Sequence, residues 1–120
     1  MDAKEVVSEY YKLAGFKDIE AVQNLVHEEL ELKWHSSKGY LELDREDFLA
    51  LMAEMGKSYC DSRLDISHML VDGNAVTVRY TQYVCAIENP SEEMTLAHFI
   101  VIWEVKDSKL YRGYLMSQLG

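Results

Sequence analysis

The spacing of apolar residues changes for good near residue 60, after one short extended interlude in a helical first half, and that change restricts the fold more than any other feature. Up to about residue 60 apolar side chains recur at helical spacing; beyond Asp61 they alternate with polar ones. The first period belongs to helices with one buried side, the second to strands with one dry face. Val6, Val7, Tyr10, Leu13 and Ala14 mark a first helix, capped by Asp2 with Glu5 as its reciprocal partner and stopped at Gly15. Asp18 starts a second, along Ile19, Val22, Leu25 and Val26. Leu30, Leu32 and Trp34 then alternate with Glu31 and Lys33 as a strand, residues 36–39 turn, and Leu41 and Leu43 resume the alternation. Asp44 caps a third helix with the stripe Phe48, Leu51, Met52, Met55 and Tyr59. Residues 63–71, 75–87, 95–106 and 109–118 are four strand-like segments, joined at Asp72-Gly73-Asn74, at Glu88 to Glu93 around the only proline, and at Asp107-Ser108. The sum is an α+β fold, with three helices on one face of a curved antiparallel meander.

Length and charge narrow the classes further. One domain spans residues 1–120, and 48% apolar residues suffice for a core without a disulfide or a metal. The balance of 12 basic and 21 acidic residues, 12 − 21 = −9, repels phosphate backbones, so no nucleic acid is expected as a partner. The longest apolar run, Phe48 to Ala53, is far too short to span a membrane, and the first residues carry no signal-peptide pattern, so a cytoplasmic location is expected. Cys60 and Cys85 are too few and too isolated for a disulfide framework or a zinc site, and both are expected to be buried thiols. His27, His35, His68 and His98 lack metal-ligand spacing, and no metal or other cofactor is expected. Gly56-Lys57-Ser58 ends a helix and lacks the earlier glycine of a phosphate-binding loop.

The order helix, helix, strand, helix, four meandering strands resembles the nuclear transport factor 2-like superfamily over the whole chain. That superfamily, with a cystatin-like cone around a pocket, includes ketosteroid isomerases, scytalone dehydratase, SnoaL-like polyketide cyclases and many binding domains. The local similarity is to ketosteroid isomerase, over Val6-Val7-Ser8-Glu9-Tyr10, Asp18, Leu25, Leu32 and the strand ending at Trp34. The resemblance implies that Tyr10 stands where a phenol donates to a developing oxyanion. The proton-shuttling carboxylate of that family corresponds to Trp34, and its second acid to about Val101. Neither an indole nor a valine can do that work.

Alternation assigns the faces. With Glu104 and Lys106 in solvent, Phe99, Val101, Trp103 and Val105 point into the cone, as do Val78, Tyr80, Gln82 and Val84; the family pattern adds Leu115 and Ser117. Tyr10, Trp34 and the helical Met52, Met55 and Tyr59 complete the expected pocket, either open to a small apolar molecule or filled by its two indoles. The opposite face carries Tyr83, Cys85, His98, Ile100, Ile102, Tyr114 and Met116, a patch too apolar to stay wet, which predicts a homodimer. Of the histidines only His35, following Trp34, is placed to reach the cone mouth as a base beside Tyr10 and Gln82. Two readings follow. One is a SnoaL-like domain binding a small apolar or aromatic ligand; the other is a lyase, isomerase or cyclase acting on a small carbonyl compound through Tyr10 and His35. A dimerisation module with no cavity is the third.

Overall fold

A computed structural model describes residues 1–13 and 18–120. Helix α1 (Ala3–Lys12) begins in a reciprocal cap: the Glu5 amide donates to the Asp2 carboxylate at 2.8 Å, and the Asp2 amide to the Glu5 side chain. Its buried face is Val6, Val7, Tyr10 and Tyr11, two adjacent pairs one turn apart. The expected continuation through Ala14 to a stop at Gly15 lies outside the described residues.

Helix α2 (Ile19–Gln23) is capped by Asp18 as expected but is shorter than its apolar spacing predicts. Leu25 and Val26 leave the helix because the sheet claims them: the Leu110 amide donates to the Leu25 carbonyl at 2.7 Å, and Val26 opens strand β1 (Val26–Ser36) opposite Leu110. Strand β2 (Gly39–Asp44) returns along β1, and Asp44 caps α3 (Arg45–Ser58) with a second reciprocal pair involving Asp47. Tyr59, expected on that helix, instead ends it and opens β3 (Tyr59–Asp72).

Strands β4 (Ala75–Ala86), β5 (Asn89–Lys106) and β6 (Lys109–Leu119) continue the meander. The expected long turn around Pro90 shrinks to two residues. Pro90 falls instead in the interruption between the Ala86–Asn89 and Cys85–Glu93 pairs, where its missing N–H disturbs no ladder. Asp107 and Ser108 both adopt left-handed backbone, φ 55° and 58°, the twist that a two-residue hairpin requires.

The six strands form one sheet in the order β2-β1-β6-β5-β4-β3. The sheet is mixed, not wholly antiparallel as the sequence suggested, because β1 runs parallel to β6. Register irregularities at residues 66–68, 82–83 and 104–105 are sites of added local twist, which helps a broad sheet to curl.

The inner face meets α1 in a core that includes Val6, Val7, Leu30, Leu32, Val76, Val78, Val101 and Trp103. On α3 only Phe48 is buried; Leu51, Met52 and Met55 stay half-exposed because they border open space rather than core. The outer face keeps Ile100 at 47% and Met116 at 62% exposure. Both cysteines are more accessible than expected. Cys60 is exposed on edge strand β3, its thiol 3.4 Å from the Cys85 carbonyl, and Cys85 is half-buried on β4. Among the described residues no helix is long and apolar enough to cross a membrane.

Candidate functional site

The sheet register sets the inner wall as rows of side chains. One row runs Leu41, Trp34, Leu115, Val101, Val78, Met69; the next runs Leu43, Leu32, Gly113, Trp103, Val76. Tyr80, Phe99 and Ser117 form a third. Between this wall, α1 and α3 lies a cavity of about 880 Å³, which falls within the size range of small-molecule sites. Tyr10, Trp34, Met52, Met55, Tyr80, Gln82, Phe99, Trp103 and Leu115 line it.

Three residues expected in the lining are absent from it. Val78 and Val101 are wholly buried in the core, their side chains too short to stand clear of Tyr80, Phe99 and Trp103 in the neighbouring rows. Tyr59 sits beyond the end of α3, where the change to strand takes it out of the helical stripe. His35 is also not in the cavity. It follows Trp34 on a strand, so it faces the other way, exposed, with its ring 4.7 Å from that of Tyr40 across β1–β2. Tyr10 and His35 are therefore not assembled into an acid–base pair.

Sequence reasoning missed Tyr11. The signal was the doubled spacing Val6-Val7 and Tyr10-Tyr11, which places both tyrosines on the face that α1 buries. Tyr10 and Tyr11 are only 6% and 7% exposed, and both reach the cavity. The Trp103 indole N–H donates to the Tyr11 hydroxyl oxygen at 2.9 Å, and the Tyr80 hydroxyl also bonds to Tyr11. Edge-on ring contacts join Tyr10 to Trp103 and Tyr11 to Tyr80, and Tyr80 stacks on Phe99 at 5.0 Å. On the far wall the Trp34 indole N–H donates to the Ser117 hydroxyl at 2.8 Å. Gln82 donates to Ser62 at 3.1 Å.

Burial pushes the hydroxyls of Tyr10, Tyr11 and Tyr80 well above the ordinary tyrosine range. They are neutral groups able to donate a hydrogen bond, not phenolates. The acidic lining residues are Asp47 and Glu54, both exposed on α3, and Asp47 is engaged in the helix cap. No histidine lines the cavity, and among the described residues no cluster of potential metal ligands occurs. The Trp34 indole is no proton acceptor, and its N–H is already committed to Ser117.

The family profile of the SnoaL-like domain matches residues 7–113. The chain belongs to this SnoaL-like family. No curated protein matches it. Solved structures, among them an NTF2-like protein of Burkholderia pseudomallei, share the fold of this SnoaL-like chain. IdmH of Streptomyces antibioticus, a candidate polyketide cyclase, superposes with a TM-score of 0.79 at 13% identity, over 98% of this chain and 92% of its own. An LEH-like epoxide hydrolase of M. tuberculosis gives 0.74 at 15% identity, over 96% and 81%. A Catenulispora acidiphila protein with a ketosteroid isomerase-like fold, solved with trimethylamine, gives 0.73 at 12% identity, over 92% and 83%. At these identities the likeness is one of fold, and the SnoaL-like chain's chemistry rests on its own residues.

Proposed function

We propose that this SnoaL-like domain binds a small apolar or aromatic molecule in its cone. The observation that carries this reading is a cavity of about 880 Å³ walled by aromatic, thioether and aliphatic side chains, with carboxylates only on exposed α3 positions and no imidazole. Proton abstraction from a carbon acid needs a base within hydrogen-bond reach of its substrate, and the interior offers only neutral donors. Native mass spectrometry against a library of small aromatic compounds tests the reading. Retained ligand in the wild type, lost when Met52→Glu and Met55→Glu put charges into the wall, is the expected result. Absence of any bound compound at saturating concentration overturns it.

The enzymatic alternative, a lyase, isomerase or cyclase on a carbonyl compound, retains one supporting feature: the Tyr10 hydroxyl, buried beside the cavity. With His35 on the outer face, such a reaction would have to proceed by hydrogen-bond activation without a side-chain base in the interior. Turnover abolished by Tyr10→Phe would favour this alternative.

The outer sheet face is proposed to pair with a second copy of the chain. Its exposed row joins Arg79 to Ile100 and Met116, with Asp65 at the margin of the same shallow groove. A face carrying both signs of charge around an apolar centre is self-complementary under a two-fold rotation, whereas the −9 surface elsewhere repels its own copy.

A further inference from the structure

We infer that the cone selects uncharged ligands carrying hydrogen-bond acceptors, and that two indole-anchored hydroxyls, Tyr11 and Ser117, are the groups that engage them. This inference rests on the ligand-binding reading above and specifies its chemistry. Both tryptophans border the cavity, and an indole N–H can only donate. Each is satisfied by a hydroxyl oxygen on the same lining: Trp103 by Tyr11 at 2.9 Å, Trp34 by Ser117 at 2.8 Å. A hydroxyl oxygen that accepts such a bond still has its own proton to place.

For Ser117, no acceptor of that proton is found among the described residues. For Tyr11, the partner is Tyr80, itself a hydroxyl. Between the two phenols one proton bridges and one is left over, whichever way the bridge runs. Tyr10 adds a further hydroxyl with no hydrogen-bond partner among the described residues. The inner wall therefore carries hydroxyl protons without an acceptor, while the carboxylates of the lining, Asp47 and Glu54, lie apart on exposed α3 positions.

That imbalance discriminates by ligand chemistry. An amine or ammonium ligand would leave those hydroxyl protons unpaired, and the carboxylates it could meet are Asp47, engaged in the α3 cap, and Glu54, both on exposed positions. An anion would enter a strongly acidic protein, and among the described residues the basic side chain on the lining is Lys38, exposed in the β1–β2 turn. A neutral carbonyl, ester or ether oxygen takes up the surplus proton without either cost. The two anchors lie on different elements, Tyr11 on α1 and Ser117 on β6, so an acceptor can be met from either side of the cavity. In this arrangement Trp103 and Trp34 are positioning residues: by occupying one lone pair they fix where each hydroxyl proton can point.

Fluorene and 9-fluorenone share one three-ring skeleton and differ by a carbonyl, and 9-aminofluorene replaces that carbonyl with a donor. Equilibrium dialysis of the intact protein is expected to give fluorenone a several-fold advantage over fluorene and to place 9-aminofluorene below both. The infrared carbonyl stretch of bound fluorenone is expected at lower wavenumber than in an apolar solvent. The double variant Tyr11→Phe with Ser117→Ala should abolish both the advantage and the stretch displacement while still binding fluorene. Ser117→Ala alone, which removes no large side chain, should reduce the displacement and guards against a double variant that fails to fold. Equal binding of fluorene and fluorenone, or an undisplaced carbonyl band, overturns the inference and leaves the ligand-binding reading standing. Failure of all three compounds to bind overturns both.

Discussion

Gly113 lies directly opposite Trp103 in the β5–β6 register, with Leu32 on its other side, and its missing side chain is what lets the indole lie across β6. A methyl group there would come within 2.8 Å of the Trp103 ring and would also collide with Leu32. Neither neighbour can yield easily, since Trp103 and Leu32 are almost wholly buried. Gly113→Ala is expected to destabilise the fold by about 1–3 kcal/mol, the usual cost of forcing extra volume into a packed core. Urea unfolding monitored by tryptophan fluorescence measures it, and an unchanged midpoint would show that the ring has room to move.

The two tryptophans should respond unequally to truncation. Trp103 is buried and holds Tyr11, so Trp103→Phe loses packing and leaves a hydroxyl without its donor; about 1.5–3 kcal/mol is expected. Trp34 is half-exposed against open cavity, and Trp34→Phe should cost less, about 0.5–1.5 kcal/mol. Chemical denaturation of the two variants side by side would contradict this account if the order were reversed.

Alkaline pH should unfold the domain through its phenols. A tyrosine in an unfolded chain ionises near pH 10, whereas burial raises Tyr10, Tyr11 and Tyr80 above that value in the fold. A raised folded value means the stabilisation is complete below about pH 10 and is lost as pH climbs beyond it. Ultraviolet titration should find three of the eight tyrosines ionising only together with loss of near-ultraviolet circular dichroism. Ionisation of all eight in a still-folded protein would show that the cone admits water freely.

His35→Ala is expected to leave ligand affinity within about twofold, since the ring stands on the outer face beside Tyr40. A tenfold loss in the dialysis measurement would place His35 in contact with ligand after all.

Ile100→Asp sets a charge into the centre of the exposed outer row, next to Arg79 and Met116. Sedimentation velocity at micromolar concentration is expected to show a wild-type dimer and a folded monomeric variant. A monomeric wild type would remove the proposed pairing.

Most of the fold was legible because the two periods in the sequence are long and clean, and because Asp2, Asp18 and Asp44 each begin a helix as a capping residue should. What escaped was decided by tertiary contact. Leu25 and Val26 fit a helix as well as a strand, and only the distant Leu110 settles them. The parallel pairing of β1 with β6 joins segments some eighty residues apart, which no local pattern reports. At the site, alternation put Tyr80, Phe99 and Trp103 on the correct side of the sheet. It cannot tell a residue that borders empty space from one pressed into core, which is how Val78 and Val101 were mistaken for lining. His35 was misplaced by reading nearness in sequence to Trp34 as a shared face, although the strand period opposes it.

Because β6 is flanked by β1 on one side and β5 on the other, it is the seam of the whole sheet. Without residues 109–119 the β1–β2 pair and the β3–β5 ribbon have no edge in common, and α1 has no finished surface to lie against. A chain emerging from the ribosome with that segment still in the tunnel therefore holds two loose halves. The hollow comes into being only when the seam is sewn, so a truncation at residue 108 should yield aggregation-prone material rather than a weaker binder.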